Sequence, residues 1–400
     1  MEEKNSGIRR RPGLLVFIIL AIASGIGAGY VLPLWLVRVF VTFNSLFSQF
    51  LGFVIPLLIL GMVAPAIIEI GNRAGKMLVF TVALAYIATM SAGLLSYATG
   101  ALLFPPLIDV GAYIAAGGGS VELVPYFEIE LVPLMTVTSA LMLAFVLGLS
   151  IPRMASAQGA LRGVMMDLRS VIVMVIKGVI VPLLPVYIFG IFVNMTVSGQ
   201  VVDILFTFIK VIGIIFGLHV VLLVIQFVIA AMIDFKNPFK CLLTMLPAYM
   251  TALGTASSAA TIPVTLRQTK KLGVDGRVAE FVVPLCATIH MSGSTLKIVA
   301  CALAIMIAHG YCYDLSMFAG FIAMLGITII AAPGVPGGAI MASLGLLSSI
   351  LGFSEADNAL MIALYIAMDS FGTACNVTGD GAIALIVNRF FGHKPTSELP

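Results

Sequence analysis

The chain has 400 residues, 61% of them hydrophobic and only 10% charged, with a formal net charge of +3. Soluble domains carry about 25% charged residues, so this composition excludes a fully water-facing surface and makes lipid the solvent. The small net charge argues against a nucleic-acid partner.

A membrane-spanning helix needs about 20 mostly apolar residues, and such runs recur along the chain. Arg9, Arg10 and Arg11 precede the first run, Leu14–Leu32. That order predicts a cytoplasmic N-terminus. The alternative, the basic region of a cleaved signal peptide, is the weaker reading, because the run is long and lacks a clear small-residue cleavage site. The runs Phe47–Ile70 and Leu78–Leu103 follow, then a polar connector, Asp109–Glu130, holding the glycines Gly117–Gly119. Leu131–Ile151 comes next, then a second polar connector, Arg153–Arg169, expected as a loop. Val171–Val193 and Ile204–Ile233 complete the first half. The runs do not alternate and are too long for barrel strands, so they read as helices.

The pattern changes after Asp234. Two tracts of small residues, Thr251–Pro263 and Ala331–Ala342, sit between arms that look too short to span a bilayer. That arrangement predicts two re-entrant hairpins, whose non-helical tips must be surrounded by protein or a cavity. Between and after them lie Phe281–Ala308, Phe318–Ile330 with Leu344–Phe353, and Leu360–Val387. Two of these segments share a signature: His290-Met291-Ser292-Gly293-Ser294 and Asn376-Val377-Thr378-Gly379-Asp380. A glycine flanked by polar residues favours unwinding, so both helices are expected to break there. Corresponding interrupted segments in two halves point to a transporter binding site. The five cysteines (241, 286, 301, 312 and 375) include no CxxC, so neither a metal cluster nor a disulfide framework is expected.

The chemistry concentrates in two stripes. Asp369, Thr373, Asn376 and Asp380 follow the spacing i, i+4, i+7, i+11 and form one polar face on the last helix. Carboxylates within a bilayer are costly and functional by default. No Arg is at hand as a permanent partner, which favours a substrate ammonium or a cation. A hard cation such as Na⁺ suits carboxylate and carbonyl oxygens. The bland reading is a stripe that packs on polar groups of neighbouring helices. His290, Ser294, Lys297 and Cys301 repeat the same spacing. Lys297 lies too deep to snorkel, so it needs a counter-charge or loses its proton. Pairing with Asp369 or Asp380 and contact with an anionic substrate group both remain open. His290 reads better as a hydrogen-bonded core residue than as a transition-metal ligand, since no second His or thiolate is suitably spaced.

Four motifs in order resemble one family. Ser257-Ser258-Ala259-Ala260-Thr261-Ile262-Pro263-Val264-Thr265 is similar to the Ser-rich first hairpin of the dicarboxylate/amino acid:cation symporter family, which includes glutamate transporters. Pro284-Leu285-Cys286-Ala287-Thr288-Ile289-His290-Met291 resembles its seventh-helix motif PLGATINM. Gly334-Val335-Pro336-Gly337-Gly338 resembles its second hairpin tip, and Asp369 through Asp380 its eighth-helix motif. The first half matches only in hydropathy and length.

The resemblance implies an all-α membrane protein. It would have eight transmembrane helices, two re-entrant helical hairpins and inverted repeats, and form a homotrimer that works as an elevator in the cell (plasma or inner) membrane. Residues 1–233 would be mainly scaffold, with the third and sixth helices joining the transport core of residues 234–400. Ser257, Ser258, Val335, Gly337, Asp369, Thr373 and Asn376 would bind a small amino acid or dicarboxylate, with Asp369 taking the amino group. Lys297, where the family often has an aromatic, departs from the pattern and joins them only if it reads an anionic substrate group. Asp380, with backbone near Cys286, His290 and Asn376, would hold one sodium ion. Thr288, with backbone near Ile330 and Ala332, would hold a second.

Departures from the family pattern qualify this. Gly372 stands where an Arg commonly reads an acidic substrate, and Ala256 where the first hairpin can carry one. His290 and Ser292 replace an amide and a carboxylate assigned to a third sodium site, so fewer than three ions are expected. Gly372 leaves space that the Lys297 ammonium could fill. A proton-coupled or neutral-amino-acid carrier of the same fold is the alternative. An intramembrane aspartyl enzyme is disfavoured, because Asp369 and Asp380 are about 16 Å apart along a straight helix. A passive channel is disfavoured because the polar groups form local motifs rather than rings.

Overall fold

A computed structural model describes residues 14–71, 75–108, 123–154, 159–199, 201–330 and 337–392. Among them every regular element is helical, as expected of a chain whose backbone must satisfy itself in lipid. The first helices are α1 (Leu14–Gly29), α2 (Leu34–Gly71) and α3 (Lys76–Leu103). An irregular stretch then leads to α4 (Val137–Ser150), which starts later than the apolar run because Thr136 caps it, accepting from Ser139 N. The connector Asp109–Glu130 is described only from Leu123 onward, since 109–122 lie outside the described residues. Its described end is pinned to α2: the Arg38 guanidinium donates to Val124 O (2.8 Å), and Tyr126 Oη donates to Trp35 O (3.0 Å).

The expected loop Arg153–Arg169 is corrected by α5 (Ala160–Val175), which begins inside it. This helix buries Met165 and Ile172, two turns apart, and carries Arg162, Asp167 and Arg169 elsewhere on its surface. An amphipathic helix has no continuous apolar run to detect. A π turn, Ile176–Ile180, joins it to α6 (Val181–Val197). Pro182 and Pro185 lack the N–H groups that would continue the α ladder there.

The second half comprises α7 (Val201–Asp234), α8 (Pro238–Thr255), α9 (Ser258–Lys271), α10 (Gly276–Ile289), α11 (Ser292–His309), α12 (Leu315–Ile330), α13 (Gly338–Leu351), α14 (Glu355–Ala367) and α15 (Asp369–Phe391). Among the described residues, five helical stretches are long and apolar enough to cross a membrane, or six if the bent pair α14 and α15 counts as one. The protein is therefore an all-α membrane protein.

Two helix pairs turn back on themselves. α8 and α9 pack together, and at 18 and 14 residues they reach about 27 Å and 21 Å, short of the ~30 Å hydrocarbon thickness. Only Ala256 and Ser257 separate them, with Ala256 in the left-handed region (φ 48°, ψ 29°). α12 and α13 form the other pair. Its tip, including Ala332 and Val335, lies outside the described residues; Gly337 opens α13 at φ 77°.

α11 sits at the centre: every residue from Ser292 to Ala308 is buried, against α3, α7, α14 and α15. A helix enclosed on all sides must find partners for its polar groups inside the protein. The backbone breaks before it at His290 and Met291, as the first signature predicts. The second signature does not unwind. Asn376 to Asp380 lie within continuous α15, and the break falls instead at Met368, where α14 and α15 meet at 62°. Gly379 is needed for close approach: a Cβ there would lie 2.5 Å from Gln226 Oε1 and 2.6 Å from His290 Cε1.

Candidate functional site

Four helices begin around one small cleft. Ser257 and Ser258 at the start of α9, Ser294 in the first turn of α11, Ala339 in that of α13 and Asp369 at the head of α15 all line it, with Tyr365, Thr373 and Asn376. The cavity volume is about 30 Å³, room for about two waters. Helix N-termini carry partial positive charge, and four of them share this space.

On α15 every residue from Gly372 to Val387 is buried, and the polar stripe Asp369, Thr373, Asn376 and Asp380 is buried with them. Asn376 caps α11 from a neighbouring helix. Its Oδ1 accepts from Gly293 N (2.7 Å) and Ser294 N (3.3 Å), while its Nδ2 donates to Ser294 Oγ (3.0 Å). Asp369 has both oxygens engaged. Oδ2 accepts from Gly337 N at the head of α13 (2.8 Å), and Oδ1 accepts from Lys297 Nζ (3.0 Å). Lys297 has no solvent exposure. Its ammonium also lies near Met368 O (3.4 Å) and Tyr365 O (3.5 Å), carbonyls at the break before α15. It stands 3.4 Å from the Tyr365 ring centroid, a cation–π contact. A Cβ on Gly372 would meet Lys297 Cε and Nζ at 2.9 Å. The lysine thus fills the space that Gly372 leaves and pairs with Asp369 in the same position.

A second buried group surrounds Asp380. His290 Nδ1 donates to Asp380 Oδ1 (2.9 Å), so the imidazole is the hydrogen-bonded core residue its surroundings suggested. Gln226 Nε2 donates to Ser292 Oγ (3.1 Å), and His219 Nε2 donates to Gly293 O (3.0 Å). Cys286 is buried and its carbonyl accepts from His290 N (2.9 Å). Thr288 is exposed and its hydroxyl donates to Leu285 O (2.8 Å), so it does not join this group. Ile330 ends α12, next to the undescribed tip. Among the described residues no three His, Cys, Asp or Glu converge as metal ligands. Any hard cation here would rely on one carboxylate with backbone oxygens.

Sequence reasoning missed Tyr365, Gln226 and His219. The two α7 residues did leave a signal: they are polar, in an apolar run, and seven residues apart, hence on one face. Tyr365 left none, because only the bend at Met368 brings its ring under Lys297.

The sequence profile of the Sodium:dicarboxylate symporter family matches residues 14–390. Over 165 residues the chain is 36% identical to excitatory amino acid transporter 2 of Mus musculus, covering 41% of this chain and 28% of that protein. It is 33% identical over 203 residues to excitatory amino acid transporter 1 of Rattus norvegicus, covering 50% of this chain and 35% of that protein. An excitatory amino acid transporter of Caenorhabditis elegans is 34% identical over 156 residues, covering 39% and 31%. The matches thus span about a third of each relative's length. This is a family of transporters rather than enzymes, and with nearly its whole described length matched, the chain belongs to the Sodium:dicarboxylate symporter family.

Proposed function

We propose that the protein is a secondary active transporter that couples sodium entry to symport of a small amino acid or dicarboxylate across the cell membrane. One observation carries this reading: Asp369, on the polar face of α15, holds Gly337 N of the second helix pair at 2.8 Å over a cleft lined by the first pair. A carboxylate that bonds the tip of a turned-back helix pair ties closure to the contents of the cleft. In this reading α8–α9 and α12–α13 are re-entrant hairpins within an eight-helix protomer built on inverted repeats. Residues 1–233 mainly form the scaffold of a homotrimer, with its third and sixth helices joining residues 234–400 as an elevator-like transport core, and the N-terminus lies in the cytoplasm.

Ser257, Ser258, Thr373 and Asn376 bind the substrate, with Val335 and Gly337 in the gate. Asp380 holds a sodium ion with backbone near Cys286, His290 and Asn376, and Thr288 with backbone near Ile330 and Ala332 holds a second. Fewer than three ions move per cycle. The test is uptake into loaded vesicles, with and without an imposed sodium gradient, over a panel of amino acids and dicarboxylates. Gradient-driven uptake supports the reading. Uptake driven by a pH gradient alone replaces sodium with the proton, and equilibration without any driving ion rejects symport.

A further inference from the structure

The charge of the cleft narrows the substrate class, an inference that rests on the transporter reading. An amino acid brings an ammonium that needs a buried counter-ion. Among the described residues lining the cleft, Asp369 is the only acid. Its two oxygens are already bonded, one to the Lys297 ammonium at 3.0 Å and one to Gly337 N at 2.8 Å.

Lys297 is held firmly in that position. It has zero exposure. Its hydrogens point among Asp369 Oδ1, Met368 O and Tyr365 O, and the Tyr365 ring lies against the charge. The bare backbone at Gly372 leaves room for this seat, since a Cβ there would lie 2.9 Å from Lys297 Cε and Nζ. A substrate ammonium would place a second positive charge on one carboxylate, in a space where water cannot screen the two.

A carboxylate meets the opposite environment. The start of α9 offers the hydroxyls of Ser257 and Ser258, and the first turns of α11, α13 and α15 direct their positive ends at the same cleft. Hydroxyl donors suit an anion, and the helix starts favour it through their field, some of their N–H groups being already bonded to Asn376 and Asp369.

We infer that the cleft selects a small carboxylate ligand bearing no ammonium group, the protein supplying through Lys297 the cation that Asp369 would otherwise take from an amino acid. Lys297 and Gly372 are then the specificity-determining pair: one provides the charge, the other its seat.

The experiment compares matched probes by isothermal titration of the purified full chain in nanodiscs, in sodium buffer. Succinate is set against aspartate, and lactate against alanine. In each pair that binds, the amino-free member should bind at least about tenfold tighter, the effect of leaving one buried charge unpaired. Lys297→Met frees Asp369, so the preference should fall by about tenfold or reverse. Aspartate or alanine binding the wild type as tightly as its partner overturns the inference, even if Lys297→Met does not fold. An unchanged ranking in a folded Lys297→Met protein overturns the role of Lys297. Sodium-driven uptake with an amino-acid preference overturns this inference alone. Binding of none of the four probes overturns the inference, and if sodium-driven uptake is absent as well it overturns the transporter reading with it.

Discussion

Lys297 and Asp369 show how strongly one buried pair constrains its surroundings. Removing one partner leaves an uncompensated charge without solvent, which costs about 3–5 kcal/mol. Lys297→Met and Asp369→Ala should each lower the thermal unfolding temperature in detergent. The double variant Lys297→Met/Asp369→Asn should recover much of the loss, because it leaves no lone charge. Additive losses in the double variant would show that the two side chains contribute separately. Asp380 is engaged by the His290 imidazole, 2.9 Å away, and this bears on ion binding. Asp380→Asn should weaken sodium affinity and uptake together, since it removes the one charged ligand. His290→Asn should strengthen sodium affinity by releasing the carboxylate and supplying an amide oxygen, a better ligand for a hard cation. Sodium titrations of uptake check both, and a wild-type sodium dependence in Asp380→Asn removes that residue from the ion path.

At the level of elements, the first helix pair turns through a residue unsuited to its conformation. Ala256 occupies the left-handed region at φ 48°, which a Cβ makes unfavourable by about 1–2 kcal/mol. Ala256→Gly should therefore stabilise the folded protein by about 0.5–1 kcal/mol after the glycine's own entropy cost. A rise in melting temperature checks this; a fall would mean that the Ala256 methyl packs for more than its backbone costs. The head of α14 offers the opposite case. Ser354 and Asp357 form a capping box, the Asp357 N–H donating to Ser354 Oγ and the Ser354 N–H to Asp357 Oδ2. Ser354→Ala should destabilise by about 1 kcal/mol, measurable in the same melts. The glycine signatures show the limit of local reasoning about elements. Gly293 and Gly379 stand in similar sequence contexts, yet the chain breaks beside the first and runs helical through the second. Both are pressed by other segments, Gly293 by Cys375 and Gly372 O and Gly379 by Gln226 Oε1 and His290 Cε1, so the glycine context alone does not set where the helix breaks.

At the scale of the whole molecule, the proposed sodium coupling would follow the count of charged ligands. Ser292 stands where the family's motif has a carboxylate, and its hydroxyl already accepts from Gln226. The ratio of sodium to substrate, read from the reversal potential in vesicles, should be two or lower. A measured ratio of three would require an ion held without that charge.

The sequence alone determined that lipid is the solvent, that the elements are helices, and which polar residues lie inside them. Those properties follow from composition and from spacings of four and seven residues, which fix a helix face regardless of what packs on it. It also bounded Lys297, whose depth demanded a counter-charge, and offered two acids without choosing between them. The choice of Asp369, the pairing of His290 with Asp380, the contribution of His219 and Gln226 from α7, and the bend at Met368 were decided by tertiary structure. Each depends on contacts between segments up to 90 residues apart in the chain, and the side chain that completes such a contact is set by packing rather than by its neighbours in sequence.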